Sequence, residues 1–207
     1  MILDFNTLSS KYNFNIKGII HIGGHYGQEY DMYKNLNVPI LFFEPLSNNF
    51  QHLQNKVKGD PNVITYQCAL GNENKLVTMN VEVANQGQSS SILKPKKHLE
   101  QYPHITFDYT EEVNMFRLDD IDIDLLKYNF INIDVQGYEL EVFKGAKNTI
   151  NNIEYIISEV NRDEVYENCP YVDDLDLYLT NFERVETDWA GDTWGDALYI
   201  KKLIKCF

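Results

Sequence analysis

A glycine-rich segment near the start of the chain contains the first residues whose types and spacing could do chemistry. The segment His21–Gln28 holds Gly23, Gly24 and Gly27 directly after a run of β-branched residues. Glycine lets a ligand approach the backbone closely, and a following helix offers free N–H groups and the positive end of its dipole. The spacing does not match the G-x-G-x-x-G pattern of dinucleotide-binding turns. It therefore favours a smaller adenosine ligand, although a tight turn without any ligand would also explain the glycines.

Acidic residues occur at the ends of three other apolar runs. Glu44 directly follows Ile40–Phe43, where its carboxylate could accept hydrogen bonds from both hydroxyl groups of a ribose. Asp134 and Glu159 end two later runs. Open α/β sheets bind ligands at the carboxyl ends of their strands, so we expect both acids near a substrate. The alternative for Asp134 is that it only caps the next helix.

Apolar patterns predict the alternating strands and helices that would position these residues. The predicted parallel strands are 18–23, 40–43, 62–67, 129–134 and 155–160. Residues 182–186 and 197–201 predict two further strands, and the link between them is so short that they must pair antiparallel. The predicted fold class is α/β, with a mainly parallel, Rossmann-like sheet of seven strands that ends in an antiparallel C-terminal pair.

One segment, from about residue 72 to residue 118, interrupts this alternation. Apolar and polar residues alternate from Val77 to Val83, as in a half-exposed strand, and a polar loop follows. We expect residues 1–207 to form a single domain in which residues 72–118 are an insertion over the sheet, since this length is ordinary for one domain.

Composition and charge argue against several classes of partner. The chain has 31 acidic and 18 basic residues and a formal net charge of −13, so it should repel nucleic-acid phosphates. No run of about 20 apolar residues is present, so we expect no membrane span. The first residues do not resemble a leader peptide, and the odd set Cys68, Cys169 and Cys206 suits a reducing compartment. The cytoplasm is the expected location.

An ordered set of short motifs resembles the FkbM methyltransferase family, which consists of class I enzymes that use S-adenosylmethionine. The matching segments are residues 21–29, 43–45, 68–71, 89–91, 117–120, 133–140 and 159–160, in family order along nearly the whole chain. A parallel sheet that ends in an antiparallel strand pair is also typical of class I methyltransferases. The resemblance implies that the turn from Gly23 to Gln28 holds the methionine part of the cofactor, Glu44 its ribose, and Cys68 and Ala69 its adenine. The expected cofactor-binding residues are therefore His21, Gly23, Gly24, Gly27, Gln28, Glu44, Cys68, Ala69 and Asp134.

The reaction that this resemblance implies is in-line attack of an acceptor hydroxyl on the methyl group, as in an O-methyltransferase for a sugar, a glycan or a related small molecule. Asp134 is the first candidate for the group that orients the hydroxyl or takes its proton, followed by Glu139 and Glu159. Two positions depart from the family pattern. His21 stands where many class I methyltransferases have an acid, and Gln136 replaces the Glu of the usual Asp-Val-Glu-Gly, which removes one candidate base.

Three places in the sequence are candidates for binding the acceptor. They are the polar loop 88–91, the pair Trp189 and Trp194, and the lysines at 94, 96 and 97. Packing under a turn is the alternative for the tryptophans, and a solvated loop is the alternative for the lysines. No metal is expected, because the glycines between His21 and His25 argue against a helix that would present both to one ion.

Two other functions are alternatives to methyl transfer. A non-catalytic nucleoside-binding or scaffold module could have the same fold without turnover. A nicotinamide-dependent oxidoreductase is disfavoured because its glycine spacing is missing. The sequence predicts neither the identity of the acceptor nor the oligomeric state.

Overall fold

Ten strands and six α-helices make up the chain in this computed structural model, which describes residues 1–202. The strands are β1 (Ile19–Ile22), β2 (Ile40–Phe43), β3 (Val63–Tyr66), β4 (Ala69–Leu70), β5 (Lys75–Val81), β6 (Tyr109–Phe116), β7 (Phe130–Ile133), β8 (Tyr155–Asn161), β9 (Phe182–Ala190) and β10 (Trp194–Lys201). The helices are α1 (Phe5–Tyr12), α2 (Tyr30–Tyr33), α3 (Ser47–Lys56), α4 (Lys97–Gln101), α5 (Glu139–Lys144) and α6 (Val172–Tyr178). Cys206 lies outside the described residues.

Seven of these strands form one sheet in the order β3-β2-β1-β7-β8-β10-β9. The first five strands in this order, from β3 through β2, β1 and β7 to β8, pair in parallel. Strand β10 is antiparallel to both β8 and β9. The predicted fold class is therefore confirmed. The chain leaves β1 toward β2 on one side and later returns to β7 on the other, and a crevice at such a reversal is where open α/β sheets bind ligands.

The central strands are apolar throughout because both faces of the sheet are covered. All four residues of β1, β2 and β7 are buried. Ile20 and Leu41 belong to one hydrophobic cluster, which includes side chains of α5 and α6. Ile19 and Phe42 belong to a second cluster, which includes side chains of α1 and α3. Helices on both faces thus form a three-layer structure whose central strands are held rigidly.

A second, smaller sheet with the order β4-β6-β5 contains both strands of the segment that interrupts the alternation, β5 and β6. The alternation that begins at Val77 forms part of β5, which pairs antiparallel with β6. Val77, Met79 and Val81 are buried, and the polar residues between them are exposed or half-buried. The description of 1–207 as one domain with an insertion stays a prediction.

Two segments whose apolar residues have helical spacing, 28–36 and 140–150, form shorter helices than that spacing predicts. Residues 28–36 contain only α2 and a 3-10 turn, and the face from Leu140 to Ile150 is divided between α5 and a second 3-10 turn. Helix α5 ends at Gly145, where a Cβ atom would lie 1.8 Å from the carbonyl oxygen of Gly71. Glycine is therefore the only residue that fits there. Within residues 1–202, no helix is long and apolar enough to cross a bilayer.

Candidate cofactor and acceptor site

The turn after β1 has a shape that only glycine allows. Gly23 has a φ of +85°, and a Cβ atom there would lie 1.9 Å from the carbonyl oxygen of Asp134. The N–H groups of Gly23 and Gly24 both donate to the carbonyl of Phe43, at 3.0 and 2.9 Å. The turn is therefore tied to the ends of both neighbouring strands.

A cavity of about 780 Å³ opens beside this turn, at the carboxyl ends of the parallel strands. Most of the sequence-predicted site residues line it, namely His21, Gly23, Gln28, Glu44, Cys68, Ala69, Asp134 and Glu159. Gly24, Gly27 and Glu139 are not among the lining residues. Gly24 and Gly27 instead pack against Leu53 of α3, so they let the turn approach that helix.

Glu44 is a buried carboxylate at the end of β2. Its Oε2 accepts a hydrogen bond from the backbone N–H of His25 at 2.8 Å, and its Oε1 accepts one from that of Leu46 at 2.9 Å. Burial nevertheless raises the pKa of Glu44 to about 7. Each carboxylate oxygen can accept a second hydrogen bond. Glu44 therefore has the free acceptor capacity that a pair of hydroxyl groups requires.

His21 is buried at the base of the turn. Its Nδ1 lies 3.2 Å from the hydroxyl of Tyr33 and 3.3 Å from the side-chain nitrogen of Asn132. Burial lowers the pKa of His21, so the ring is neutral near pH 7. The 3.9 Å approach of its Nε2 to Glu29 is therefore not an ion pair. His21 reaches the cavity as a neutral ring and does not replace the acid that many class I methyltransferases have there.

Cys68 and Ala69 form part of an apolar wall of the cavity. Both are buried, and Phe43 and Leu46 line the same cavity. Burial raises the pKa of the Cys68 thiol to about 12, so this cysteine is an apolar wall residue and not a nucleophile. Such a wall can accommodate a flat base.

Two carboxyl groups meet at the middle of the cavity. Ile133 of β7 is paired with Ser158 of β8, which places Asp134 and Glu159 at the next position on adjacent strands. The side-chain Nε2 of Gln136 donates to Asp134 Oδ1 and to Glu159 Oε2, both at 2.6 Å. Burial raises the pKa of Glu159 well above its usual range, and the negative charge of Asp134 raises it further. Neither the contact nor the role of Gln136 was predicted from the sequence.

Glu139, the second predicted catalytic candidate, has a different position. It is fully buried at the start of α5, and its Oε1 accepts hydrogen bonds from the N–H groups of Val135 at 3.0 Å and Gly137 at 3.2 Å. Burial raises the pKa of Glu139 to about 7. These contacts hold the loop after β7 in place, and the loop carries Asp134 and Gln136.

Aromatic and polar side chains line the other end of the cavity, among them His98 and Tyr102 of the segment 72–118 and Trp194 of β10. The indole N–H of Trp194 donates to the hydroxyl of Tyr102 at 3.1 Å. His98 is 4% exposed, and its Nδ1 has no hydrogen-bond partner in the described part of the chain. Helix α4, which carries His98, was not predicted, because five residues give too short a periodic pattern.

The three acceptor regions predicted from the sequence have different positions. Trp194 and residues 88–90 line the cavity. Trp189 instead lies under the guanidinium of Arg162, at 4.6 Å. Lys96 and Lys97 form ion pairs with Glu164 and Asp163. Over residues 1–202, no three His, Cys, Asp or Glu side chains are arranged to hold a metal ion.

The sheet order and a ligand-sized cavity at the glycine turn define a class I methyltransferase. Residues 21–185 match the family model of the methyltransferase FkbM domain. Because this match covers most of the chain, the chain belongs to the FkbM methyltransferase family.

Known proteins with similar sequences or structures agree with this assignment. The 2-O-methyltransferase NoeI of Sinorhizobium fredii (strain NBRC 101917 / NGR234) is 39% identical over 113 residues, which cover 53% of this chain and 46% of that protein. The match therefore spans about half the length of each. A SAM-dependent methyltransferase from Aquifex aeolicus has a TM-score of 0.51 at 10% identity, covering 97% of this chain and 91% of that one. The ribosomal protein L11 methylase from Lactobacillus delbrueckii subsp. bulgaricus has a TM-score of 0.53 at 10% identity, covering 95% and 76%. At such identities these two structures show the fold alone.

The family identifies S-adenosylmethionine as the cofactor, and the cavity fits it chemically. The acceptor capacity of Glu44 suits the ribose diol of the cofactor, and the wall at Cys68 and Ala69 suits its flat base. The carboxyl groups at Asp134 and Glu159 suit its positive charge.

Proposed function

We propose that this domain is an S-adenosylmethionine-dependent O-methyltransferase that acts on a hydroxyl group of a sugar, a glycan or a related small molecule. The observation that supports this most is that one cavity contains three neighbouring regions with different chemistry. Glu44 and the glycine turn are at one end, Asp134 is in the middle, and an aromatic and polar surface is at the other end.

The cofactor would be held by the end of the cavity at β1 and β2. Glu44 would accept hydrogen bonds from the ribose hydroxyls, and backbone N–H groups already fix both of its oxygens in place. The turn that contains Gly23 would hold the methionine part, and Cys68 and Ala69 would pack on the adenine. When it is bound, S-adenosylmethionine supplies an electrophilic methyl group together with its own leaving group.

Asp134 would then align the acceptor. Its carboxylate lines the cavity beside Glu159, and it can accept a hydrogen bond from the hydroxyl that is methylated. Asp134 Oδ would take the proton of that hydroxyl during the transfer, so that no alkoxide would have to form in advance. Proton transfer to a positioned base typically contributes roughly 10²–10⁴-fold to a rate.

The aromatic and polar end of the cavity would bind the acceptor. Rings such as Trp194 and Tyr102 offer apolar faces, and the backbone and side chains at 88–90 offer hydrogen bonds. A sugar presents both kinds of surface. The name of the relative NoeI, a 2-O-methyltransferase, supports oxygen as the methylated atom. The net charge of −13 disfavours a nucleic-acid acceptor. A cytoplasmic location stays a prediction.

Transfer of a labelled methyl group from S-adenosylmethionine to free sugars, nucleotide sugars and glycolipids tests this proposal. Asp134→Asn keeps the size of the side chain but removes the base, so we expect turnover to fall roughly 10²–10⁴-fold. Calorimetry should show that the variant still binds S-adenosylhomocysteine. Asp122→Asn, at an exposed acid outside the cavity, makes the same change of charge and should behave as the wild type.

Two results would contradict the proposal. If the wild type binds S-adenosylhomocysteine but transfers no methyl group to any acceptor class, the non-catalytic nucleoside-binding module is the better description. If Asp134→Asn retains full turnover, Asp134 is not the residue that accepts the proton.

A further inference from the structure

Gln136 connects the two carboxyl groups of the cavity to the rest of the protein. One N–H of its side-chain amide donates to Asp134 and the other donates to Glu159, both at 2.6 Å. On the other side of the amide, the hydroxyl of Tyr166 lies 2.7 Å from Gln136 Oε1 and 2.9 Å from the carbonyl oxygen of Ser89, so its single proton serves both acceptors. Asp134 and Glu159 both lie at one end of the amide as acceptors, which assigns that end as the nitrogen. All polar atoms of this side chain are therefore in use.

The backbone of Gln136 is held independently of its side chain. Its carbonyl accepts a hydrogen bond from the hydroxyl of Ser91 at 2.7 Å, and Gln136 and Gly137 have φ angles of +55° and +92°. A substitution that alters only the amide would therefore leave the Ser91 hydrogen bond available. Such a substitution therefore distinguishes the role of the Gln136 backbone in the fold from the role of its side chain in arranging the carboxyl groups.

The surroundings of Glu159 favour one proton shared by the two carboxyl groups. Asp134 on β7, Glu139 on α5 and Asp196 on β10 all lie near it and raise its pKa, after burial as the largest cause. A hydrogen bond to Asp134 also favours the protonated form of Glu159. The hydroxyl of Tyr166 is also close, and burial raises its pKa well above the usual range, so it stays neutral. The amino group of Met1 faces these acids, and its pKa shows a net rise because their charges outweigh the effect of its burial.

We propose that Gln136 is a positioning residue whose amide holds Asp134 and Glu159 as a pair that shares one proton, so that the single negative charge of the pair faces the acceptor hydroxyl. This inference rests on the proposed function, because the pair acts on the hydroxyl that is methylated. Gln136 itself transfers no proton. Its two N–H groups stabilise the pair without adding a charge. A glutamate at this position would be uncharged only in its protonated form, and it would then donate one hydrogen bond.

Three variants separate the parts of this proposal. Gln136→Met keeps the length of the side chain but cannot donate, so we expect kcat to fall roughly 10- to 100-fold, as for a misplaced catalytic group. Gln136→Glu can donate one hydrogen bond when it is protonated and adds repulsion when it is ionised. Its kcat should therefore decline as the pH rises from 6 to 9, with a falling limb that the wild type lacks. Tyr166→Phe frees Gln136 Oε1 and should lower kcat less than Gln136→Met.

The measurements are kcat against pH on the best acceptor, calorimetry with S-adenosylhomocysteine, and thermal unfolding for each variant. We expect the affinity for S-adenosylhomocysteine to stay within about threefold of wild type, because the cofactor end does not involve Gln136. A wild type without any methyl transfer would refute the proposed function itself.

If the wild type is active, three results would overturn the inference about Gln136 alone. The first is an unchanged kcat in both Gln136→Met and Gln136→Glu. The second is an equal loss at all pH values without the new limb, and the third is loss of S-adenosylhomocysteine binding in a folded variant.

Discussion

The protonation state of Glu44 should control cofactor binding. Burial raises the pKa of this carboxyl group to about 7 in the protein without ligand. Ribose hydroxyls donate hydrogen bonds, and such donors stabilise the ionised form of a carboxyl group. The binding-competent form of Glu44 is therefore the carboxylate, and affinity for S-adenosylhomocysteine should increase as the pH rises through about 7.

The magnitude follows from the fraction of Glu44 that is ionised. With a pKa of about 7, roughly nine tenths is ionised at pH 8 but only about one hundredth at pH 5. Apparent affinity is reduced by the competent fraction. We therefore expect the dissociation constant to be about 100-fold larger at pH 5 than at pH 8, which corresponds to about 2.7 kcal/mol.

Calorimetric titration with S-adenosylhomocysteine between pH 5 and pH 8 measures this dependence. Glu44→Gln cannot ionise, and its amide can accept from only one of the two backbone N–H groups, at His25 or at Leu46. It should bind more weakly at pH 8, by about 1.5–3 kcal/mol, because the ribose hydroxyls lose their hydrogen bond to a charged acceptor. Its dissociation constant should also vary much less with pH. Because the ligand is the same in both titrations, its own ionisation cancels in the ratio of the two constants.

Glu112→Gln is the matched control, because this acid is exposed and lies outside the residues that line the cavity. It should follow the wild-type pH curve. The reasoning would be refuted if the wild type and Glu44→Gln showed parallel curves, since the pH dependence would then come from other groups. It would also be refuted if the wild type bound more tightly at pH 5 than at pH 8.

Three further results are expected from the same structure. Gly23→Ala should cost about 3 kcal/mol or more of unfolding free energy in chemical denaturation, because Gly23 combines a φ of +85° with a Cβ position 1.9 Å from the carbonyl oxygen of Asp134. Gly59 has a similar φ of +88° but open space around its Cβ position, so Gly59→Ala should cost only about 1 kcal/mol. Equal losses would refute this comparison. Glu139→Gln keeps Oε1, which accepts the backbone hydrogen bonds, and removes an acid. At pH 8 the variant should therefore retain turnover and melt no lower than the wild type. Loss of turnover in a folded variant would instead support a catalytic role for Glu139. The pKa values of Glu44 and Glu139 are raised to about 7, so the folded state binds more protons than the unfolded state between about pH 4.5 and 7, and stability falls as the pH rises across that window. Thermal melts without ligand should therefore show a higher Tm at pH 5.5 than at pH 8, and the opposite order would contradict the burial of these acids.

The strands that position the site were predictable because their patterns are local. β1 and β2 are short, fully apolar and bounded by Gly or Pro, and each is followed by a residue that lines the cavity. For a parallel sheet, this is enough to place Gly23, Glu44 and Asp134 at one edge. Periodicity is less reliable for helices, because the face from Leu140 to Ile150 continues past a close contact at Gly145 that no local pattern reveals.

Contacts between distant segments were not predictable in this way. Tyr166 reaches Gln136 across 30 positions of sequence, and His98 reaches the cavity from a five-residue helix. The first contact joins the loops after β7 and β8, and the second depends on how the segment 72–118 folds over the main sheet. Glu139 shows the converse case, since its sequence neighbours suggest a catalytic acid but its Oε1 accepts hydrogen bonds from the backbone of its own loop.

The register of the sheet explains why so many acids meet at one edge. Ile133 pairs with Ser158, and Asp196 pairs with Glu159, so that Asp134, Glu159 and Asp196 occupy one row across three adjacent strands. Such a row is unfavourable in an empty protein, because burial and like charges raise the pKa of Glu159 and that of Asp196. A cationic ligand reverses this cost, since a nearby positive charge stabilises the ionised acids. The same row should therefore favour a positively charged sulfonium over a neutral thioether, which promotes exchange of the spent cofactor for a fresh one.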